Sequence, residues 1–433
     1  MNGNLFADSD KLLIPGFTPD IVKLLLTEAS EGFDWSGISP TVFGAVFEST
    51  LNPETRRKGG MHYTSVENIL KVINPLFMDD LNAEFDAIMQ TKQLAARDRK
   101  LRAFQEKLGS LKFLDPACGS GNFLTETYIQ LRRLENKVIL ELNRGVGQLD
   151  FGGEHSPVKV QISQFYGIEV NDFACAVAET ALWIAESQML KETEDIIGAA
   201  LDFFPLKTNT NIHEGNALRM DWTSVLPKEE LSFIMGNPPF VGYAYQSKAQ
   251  KEDLASVSSD IGKNVDYVAG WYYRAAEIMR GTSIRAAFVS TNSITQGEQV
   301  EAVWAPLIRA GLIIQYAYRT FRWDSEASGM AHVHCVIVGF GFSDVPKKRI
   351  FDGDRVTSAM NINPYLLDAP NVFIARRTSP LCDVSEMQRG SQPTDDGNLI
   401  LSEEEKIELV KKYPCGVARF LQHLPASAWA WVR

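Results

Sequence analysis

The stretch Phe113-Leu114-Asp115-Pro116-Ala117-Cys118-Gly119-Ser120-Gly121-Asn122-Phe123-Leu124 constrains the fold more than any other part of the chain. Apolar strand residues end on an acid, a glycine turn follows, and a helical pattern then runs over residues 125–143. Gly119 and Gly121 can take positive φ and carry no Cβ, so a bulky ligand can lie against bare main chain. The same order recurs downstream. Residues 164–170 read as a strand carrying the acid Glu169 at its end, and residues 172–190 as an alanine-rich helix. Strands follow at 211–218 and 231–236, a helix at 265–279, a strand at 285–290, a helix at 298–310, and strands at 313–319 and 332–340. Strands alternating with helices of this length predict an α/β fold, a doubly wound, mostly parallel sheet with its ligand at the strand C-termini.

Upstream, the spacing predicts a helical lead-in: residues 19–26 capped by Thr18, and residues 40–47 capped by Ser39. A basic, glycine-bearing loop over residues 56–65 precedes a helix at 66–81. The charged helix expected at 90–108 carries Lys92, Arg97, Arg99, Lys100, Arg102 and Lys107; it reads first as a solvated face and second as a phosphate contact. Residues 145–157 read as a glycine-rich loop insertion. Beyond Lys347 the periodicity weakens, prolines recur at 364, 370, 380 and 393, and no closed pattern of strands emerges.

With 433 residues, 45% of them hydrophobic, the chain can bury a sizeable core. A net charge of −11 argues against coating nucleic acid by bulk electrostatics and leaves room for a local basic groove. The five cysteines show no CxxC spacing, so neither a disulfide framework nor a zinc site is indicated, and a cytoplasmic setting is expected. The N-terminus lacks a secretory pattern and no apolar run is long enough to span a membrane.

A second motif, Asn237-Pro238-Pro239-Phe240, closes the fourth strand roughly 120 residues after the first. Two prolines remove two backbone donors and stiffen the turn, while Asn237 adds a side-chain carbonyl. Such an acceptor-rich site suits an exocyclic NH₂. Asn237 Oδ1 and the Pro238 carbonyl would take both hydrogens and direct the nitrogen lone pair at an electrophile, with Phe240 stacked on the ring. Either motif alone could be a structural turn, and a glycine loop alone also fits nucleotides. The loop, however, lacks the lysine and hydroxyl of a phosphate loop and the GxGxxG spacing of dinucleotide folds. The two motifs in this order point to amine chemistry.

At these residues the chain resembles the class I S-adenosylmethionine-dependent amino-methyltransferases of DNA, with the cofactor motif ahead of the catalytic one as in the gamma arrangement. The likeness covers roughly residues 30–345. The segments DWSGISPTVFGAVFE, GGMHYTSVENILKVINPLF and NPYLLDAPNVFIARR are similar to the MmeI-like branch, which fuses nuclease, methyltransferase and target-recognition segments, and they extend the likeness to about residue 400. The resemblance implies S-adenosylmethionine as cofactor, double-stranded DNA as partner, and a restriction-modification setting. It places Tyr63 and Thr64 at the cofactor's methionine end, and Asp115, Ala117, Gly119, Gly121 and Phe123 in the main cofactor loop. It puts Glu169 on both ribose hydroxyls and Asn216 beside the adenine ring. Asn237, Pro238, Pro239 and Phe240 become the catalytic motif, whose Asn and Phe favour adenine N6 over cytosine N4.

Direct transfer to a flipped-out base follows, with no metal and no covalent enzyme intermediate. Cys118 lies inside the cofactor loop, so a cysteine-nucleophile route has no support, and His332 with His334 lacks a third metal ligand. The implied division is a helical lead-in over residues 1–60, a methyltransferase domain over 61–345, and the start of a target-recognition region over 346–433. Set against the branch, a chain truncated at both ends is expected, with Phe420 to Arg433 unlike the branch's continuation and recognition supplied by a separate subunit or domain. Two other readings stay open: methylation of a glutamine side chain, and a catalytically silent fragment that binds cofactor.

Overall fold

Short strands whose alternate side chains are apolar on both faces force a sheet with a core on each side. The computed structural model of the chain describes residues 16–31, 39–40, 43–44, 64–144, 157–198, 210–259, 261, 264–323, 333–374, 400–413, 420–423 and 428–431. Nine strands form the main sheet among these residues: β1 Phe113–Asp115, β2 Phe165–Glu169, β3 Asn211–Glu214, β4 Phe233–Gly236, β5 Arg285–Thr291, β6 Ile313–Trp323, β7 Val333–Gly341, β8 Lys348–Asp352 and β9 Arg355–Ala359. Their spatial order is β3-β2-β1-β4-β5-β7-β6-β8-β9. Strands β1 to β5 pair in parallel, β7 runs antiparallel between β5 and β6, β8 is parallel to β6, and β9 returns antiparallel on β8.

The period of two is visible in the packing. Leu114, Ile234, Ala286, Phe288, Val336 and Val338 face one core, built on the helix Ala269–Met279. Their neighbours Phe113, Met235, Ala287, Val289, Cys335 and Ile337 face the other, under the helices Leu94–Ser110, Asn122–Asn143 and Asp172–Ile197. Phe113 stacks on Phe165 at 5.1 Å and on Phe233 at 5.7 Å, so one aromatic from each of β1, β2 and β4 ties the three central strands together. The doubly wound, mostly parallel sheet expected from the sequence is the fold observed.

From β1 the chain moves one way to β2 and β3, then returns to the other side of β1 as β4. At such a reversal the loops after two neighbouring strands part company and leave a crevice at the carboxyl edge. The Gly119–Gly121 loop and the Asn237–Phe240 turn both leave the sheet there.

Three local expectations differ from the structure. The helix beginning at Val66 runs well past residue 81, as Val66–Ile73, a π-helical turn Asn74–Met78 and Asp79–Met89, the wider turn falling where Pro75 brings no N–H. The helix expected at 298–310 is likewise divided into Gly297–Gln299, a π-helical turn Val300–Trp304 and Ala305–Arg309, with Pro306 at the last break. Past Lys347, where the periodicity weakens and no closed pattern of strands is expected, β8 and β9 form a hairpin turning on Gly353 at φ 57° and extend the sheet. The charged residues that open β8 hid these strands: Lys348 is buried, pairing with Asp344 at 2.7 Å and donating from Nζ to the Met360 carbonyl at 3.2 Å, and β9 is a largely exposed edge that begins on Arg355.

In the lead-in, Thr18 caps Pro19–Leu24, which continues as the π-helical Leu25–Glu31. Of residues 40–47, Pro40, Phe43 and Gly44 are described and are helical. The basic helix, observed at Leu94–Ser110, buries Leu101, Phe104 and Leu108, while Lys107 pairs with Glu84 at 2.5 Å and Lys100 donates to Thr91 at 3.2 Å. That pattern favours the solvated-face reading. The insertion over residues 145–156 lies outside the described residues.

The chain divides into two compact units, Met1–Ala375 and Arg376–Arg433. In the second, Ile400–Leu401, Ala428–Trp431 and Phe420–His423 form a small antiparallel sheet in that spatial order, beside the helix Glu403–Lys412 with its Ser402–Glu405 capping box.

Candidate active site

Asp115 ends β1 and is almost fully buried. Its Oδ1 accepts the Ala117 N–H at 3.0 Å, whereas Oδ2 is buried and has no hydrogen-bond partner among the described residues. Burial, opposed by the Ala117 N–H and reinforced by the negative Glu169, pushes the carboxyl up to about 8. Room for it exists only because β4 ends in glycine: a Cβ at Gly236 would overlap the Asp115 carboxylate.

The loop beyond is held from several sides. Cys118 N–H donates to the Ile168 carbonyl at 3.1 Å and Gly121 N–H to the Cys118 carbonyl at 2.8 Å. Gly119 and Gly121 have φ of 54° and 80°, and a Cβ at Gly121 would come within 2.9 Å of Ala178 Cβ on the helix Asp172–Ile197. Trp271, on the opposite face, donates its indole N–H to the Pro116 carbonyl at 2.9 Å. Gly44 of the lead-in lies against the loop too, where a Cβ would meet Ser120 Oγ at 2.8 Å. The Cys118 thiol is buried, and burial, with Asp115 and Glu169 adding negative charge, drives its pKa far up. A thiolate nucleophile is therefore disfavoured at this position. Phe123 does not open toward the crevice: its ring is buried in the helical core below the sheet, so its part in the loop is to anchor it.

Glu169 ends β2 with a buried carboxylate. Oε2 accepts the Gly119 N–H at 2.9 Å; Oε1 accepts those of Val170 at 2.9 Å and Asn171 at 3.0 Å. Burial nonetheless outweighs these three donors and raises its pKa. A carboxylate offers about four lone-pair positions. Holding two hydroxyls in addition would require one backbone donor to be released. Next to it Val170 is 63% exposed and Phe173 is partly exposed, an apolar ledge at the strand end that sequence reasoning passed over.

Asn216 is already engaged within the protein. Its Nδ2 donates to Asp253 Oδ2 at 3.0 Å and its Oδ1 accepts the Leu218 N–H at 2.9 Å. Asp253 also accepts from Tyr267 at 2.8 Å and from Arg219. Burial works against its charge, but hydrogen bonds from Tyr267, Arg219 and Asn216 together keep its pKa below the usual value. Asn216 thus shapes the crevice wall through the Leu218 backbone and Asp253.

The second motif leaves β4 on the other side of the crevice. Asn237 donates from Nδ2 to Thr64 Oγ1 at 3.3 Å, and its Oδ1 is buried with no hydrogen-bond partner among the described residues. Pro238 is buried, while Pro239 and Phe240 are half-buried, the latter packed on the core edge. Thr64, which the resemblance puts at the cofactor's methionine end, is thus in contact with Asn237 of the second motif; Tyr63 lies outside the described residues. The turn that follows is stiff: Tyr267 N–H donates to the Val241 carbonyl at 2.9 Å, Tyr243 N–H to Asp266 at 3.0 Å, and Tyr245 N–H to the Gly242 carbonyl at 2.9 Å. On this fixed rim Tyr245 is 88% exposed.

Among the described residues no group of three or more His, Cys, Asp or Glu side chains is placed to hold a metal, and no helix is long and apolar enough to cross a membrane. His332 lies outside the described residues, and His334 is exposed.

Residues 91–352 match the MmeI DNA-methyltransferase domain, and residues 368–428 the MmeI target recognition domain. DNA methyltransferase A of Bacillus subtilis (strain 168) is 40% identical over 422 residues, covering 96% of this chain and 46% of that protein. The type IIL restriction-modification enzyme MmeI, solved in complex with DNA, superposes with a TM-score of 0.86 at 41% identity, over 97% of this chain and 57% of that one. The chain spans about half the length of these relatives. The recognition-domain match runs to residue 428, so the stretch from Phe420 to that point is family sequence, contrary to the expectation of a departure there.

Proposed function

The chain belongs to the MmeI family of DNA methyltransferases, and on that premise we propose that it transfers a methyl group from S-adenosylmethionine to the N6 amine of an adenine flipped out of duplex DNA, as the modification activity of a restriction-modification system. One observation carries the reading. The adjacent parallel strands β1 and β4 lead into buried acceptors, Asp115 Oδ2 and Asn237 Oδ1, that no donor among the described residues satisfies. Unpaired buried oxygens cost stability, about 1–3 kcal/mol each, so a site that keeps two of them is built for donors that arrive from outside.

The residues fit the cofactor. Asp115 Oδ2 suits its amino group, the positive-φ glycines open the main chain to it, Glu169 keeps a lone-pair position for a ribose hydroxyl, and exposed Val170 offers an apolar surface to its base. When bound, the cofactor supplies an electrophilic methyl on a sulfonium. The chain's part is to aim the nucleophile. Asn237 Oδ1 and the Pro238 carbonyl accept the two N6 hydrogens, draw the nitrogen away from conjugation with the ring, and leave its lone pair directed at the methyl. Phe240 covers a face of the base. Adenine is preferred to cytosine on the Asn-Pro-Pro-Phe form of the motif, and DNA recognition is assigned to residues 368–428.

Incubation with labelled S-adenosylmethionine, with mixed DNA and with a protein extract in separate reactions, tests the proposal. Label entering DNA and lost in Asn237→Ala supports it. Label entering protein alone refutes it in favour of glutamine methylation, and cofactor binding without transfer to either refutes the catalytic reading.

A further inference from the structure

Five residues beyond Asn237 the chain reaches Gly242, which even a fully extended backbone would put no more than about 18 Å away. From Val241 to Gln246 the turn is fastened at four points. The Val241 carbonyl accepts the Tyr267 N–H at 2.9 Å, Tyr243 N–H donates to Asp266 Oδ1 at 3.0 Å, Tyr245 N–H donates to the Gly242 carbonyl at 2.9 Å, and the buried Gln246 side chain donates to the Val265 carbonyl at 2.8 Å. Asp266 is itself held, by the Ser293 hydroxyl at its carboxylate and by Gln299 at its N–H. The Tyr245 ring rests on this frame: a Cβ at Gly242 would lie 3.7 Å from Tyr245 Cδ2, yet the residue is 88% exposed. A lone exposed tyrosine is ordinary on a protein surface. One whose backbone and ring are both held, beside a clamp for a flipped base, is a preorganised stacking surface. Charge on the rim is one-sided as well. No acid occurs from Asn237 to Lys251 in a chain of net charge −11, and both lysines of that stretch, Lys248 and Lys251, are exposed. Glu252 meets Lys248 only at 3.9 Å, an exposed pair that neutralises little.

We propose that this rim grips the DNA strand beside the target base: Tyr245 stacks on the bases left open when the adenine is flipped out, and Lys248 and Lys251 neutralise the phosphates that flank them. The inference rests on the methyl-transfer reading given above and adds to it the groups that open the duplex. Extruding a base forfeits its pairing and stacking, and an aromatic face beside the gap offsets part of that loss. Lysines on phosphates add affinity without reading sequence. The rim therefore acts at any adenine, whichever sequence surrounds it, and opening the duplex is a task separate from recognising the site.

Sequencing of mixed DNA methylated by the parent protein gives a site, which is then built into two duplexes. In one the target adenine faces thymine; in the other it faces an abasic position, so that the base leaves the stack without help. At saturating DNA, Tyr245→Ala lowers kcat about 5- to 20-fold on the paired duplex and less than about threefold on the abasic one. Tyr245→Phe, which keeps the ring and drops the hydroxyl, stays near the parent on both. Replacing Lys248 and Lys251 with alanine weakens binding to the two duplexes alike and lowers the slope of log Kd against log salt by about 1 for each lysine. The Kd for S-adenosylmethionine stays within about twofold in every variant, as an intact turn requires. An equal loss of kcat on both duplexes in Tyr245→Ala, or an unchanged kcat and salt slope in all these variants while Asn237→Ala is inactive, would overturn this inference and leave the methyl-transfer reading standing. DNA left unmethylated by the parent, or still methylated by Asn237→Ala, would overturn both.

Discussion

Replacing Asp115 with asparagine gives a stability difference that depends on pH with a definite sign. The carboxyl has an ordinary value of 3.8, and burial raises it to about 8 in the folded chain. Between those values the native state holds a proton that the unfolded state has lost, so folding stability falls as pH rises. Each unit costs about 1.4 kcal/mol, hence roughly 4 kcal/mol by pH 7, and the loss levels off above about pH 8. Asparagine at 115 has the same shape, can still accept the Ala117 N–H, and has no proton to lose. Its amide N–H, left without a partner, shifts the absolute stability by an amount independent of pH. The slope is therefore the diagnostic. Urea midpoints of both proteins at pH 5, 6, 7 and 8, converted to free energies, show the asparagine variant gaining on the parent by about 1.4 kcal/mol per unit up to neutrality, then flattening. Curves that run parallel from pH 5 to 8 would mean that Asp115 is ionised throughout, and the claim that burial keeps its proton on would fall with them.

Other substitutions test other parts of the site. Gly121→Ala must hold positive φ and drive a methyl to within 2.9 Å of Ala178 Cβ, so it loses roughly 2–4 kcal/mol in urea unfolding; a loss below about 1 kcal/mol would show that the two helices part easily. Trp271→Phe removes the bond to the Pro116 carbonyl and weakens S-adenosylmethionine binding by about 5- to 10-fold in calorimetry, through a looser loop; unaltered affinity would refute that support. Tyr245→Ala, on the rim beside the clamp, reduces affinity for duplex DNA by about 5-fold or more while leaving cofactor affinity alone, because it removes an exposed stacking surface. Equal loss of both would mean that the turn itself had collapsed.

The elements that sequence exposes best here are those in which local pattern and tertiary role coincide. Phe113-Leu114-Asp115 and the run ending at Glu169 read as strands because both of their faces are buried, and they are β1 and β2. β8 and β9 escaped notice for the opposite reason: Lys348 and Arg355 stand where apolar residues would signal a strand, and one is satisfied by a carbonyl while the other faces solvent at the sheet edge. Apolar spacing carries the expected helices through Pro75 and Pro306, and the structure breaks each into segments with a wider turn beside the proline. In the site, the glycine loop and the Asn237 turn were readable as motifs, but their supports were not. Trp271 reaches Pro116 across 155 residues and Thr64 reaches Asn237 across 173, separations at which no spacing rule operates. Phe123 and Asn216 look like ligand contacts when read by position; packing commits the ring to the core and the amide to Asp253.

The position of β1 between β2 and β4 also governs how the protein is made. Phe113 pairs with Phe165 on one side, but its other neighbour, Phe233, lies roughly 120 residues downstream. At translation speeds of about 5–20 residues per second, the nascent strand waits on the order of ten seconds for that neighbour. Throughout, it is an edge, with unpaired amides and carbonyls that any other extended chain could join. The later arrival of β4 converts that edge into the middle of a sheet, and Gly236 is the residue that lets it close over Asp115. A ribosome that stalls between the two strands therefore holds that edge open for as long as the pause lasts.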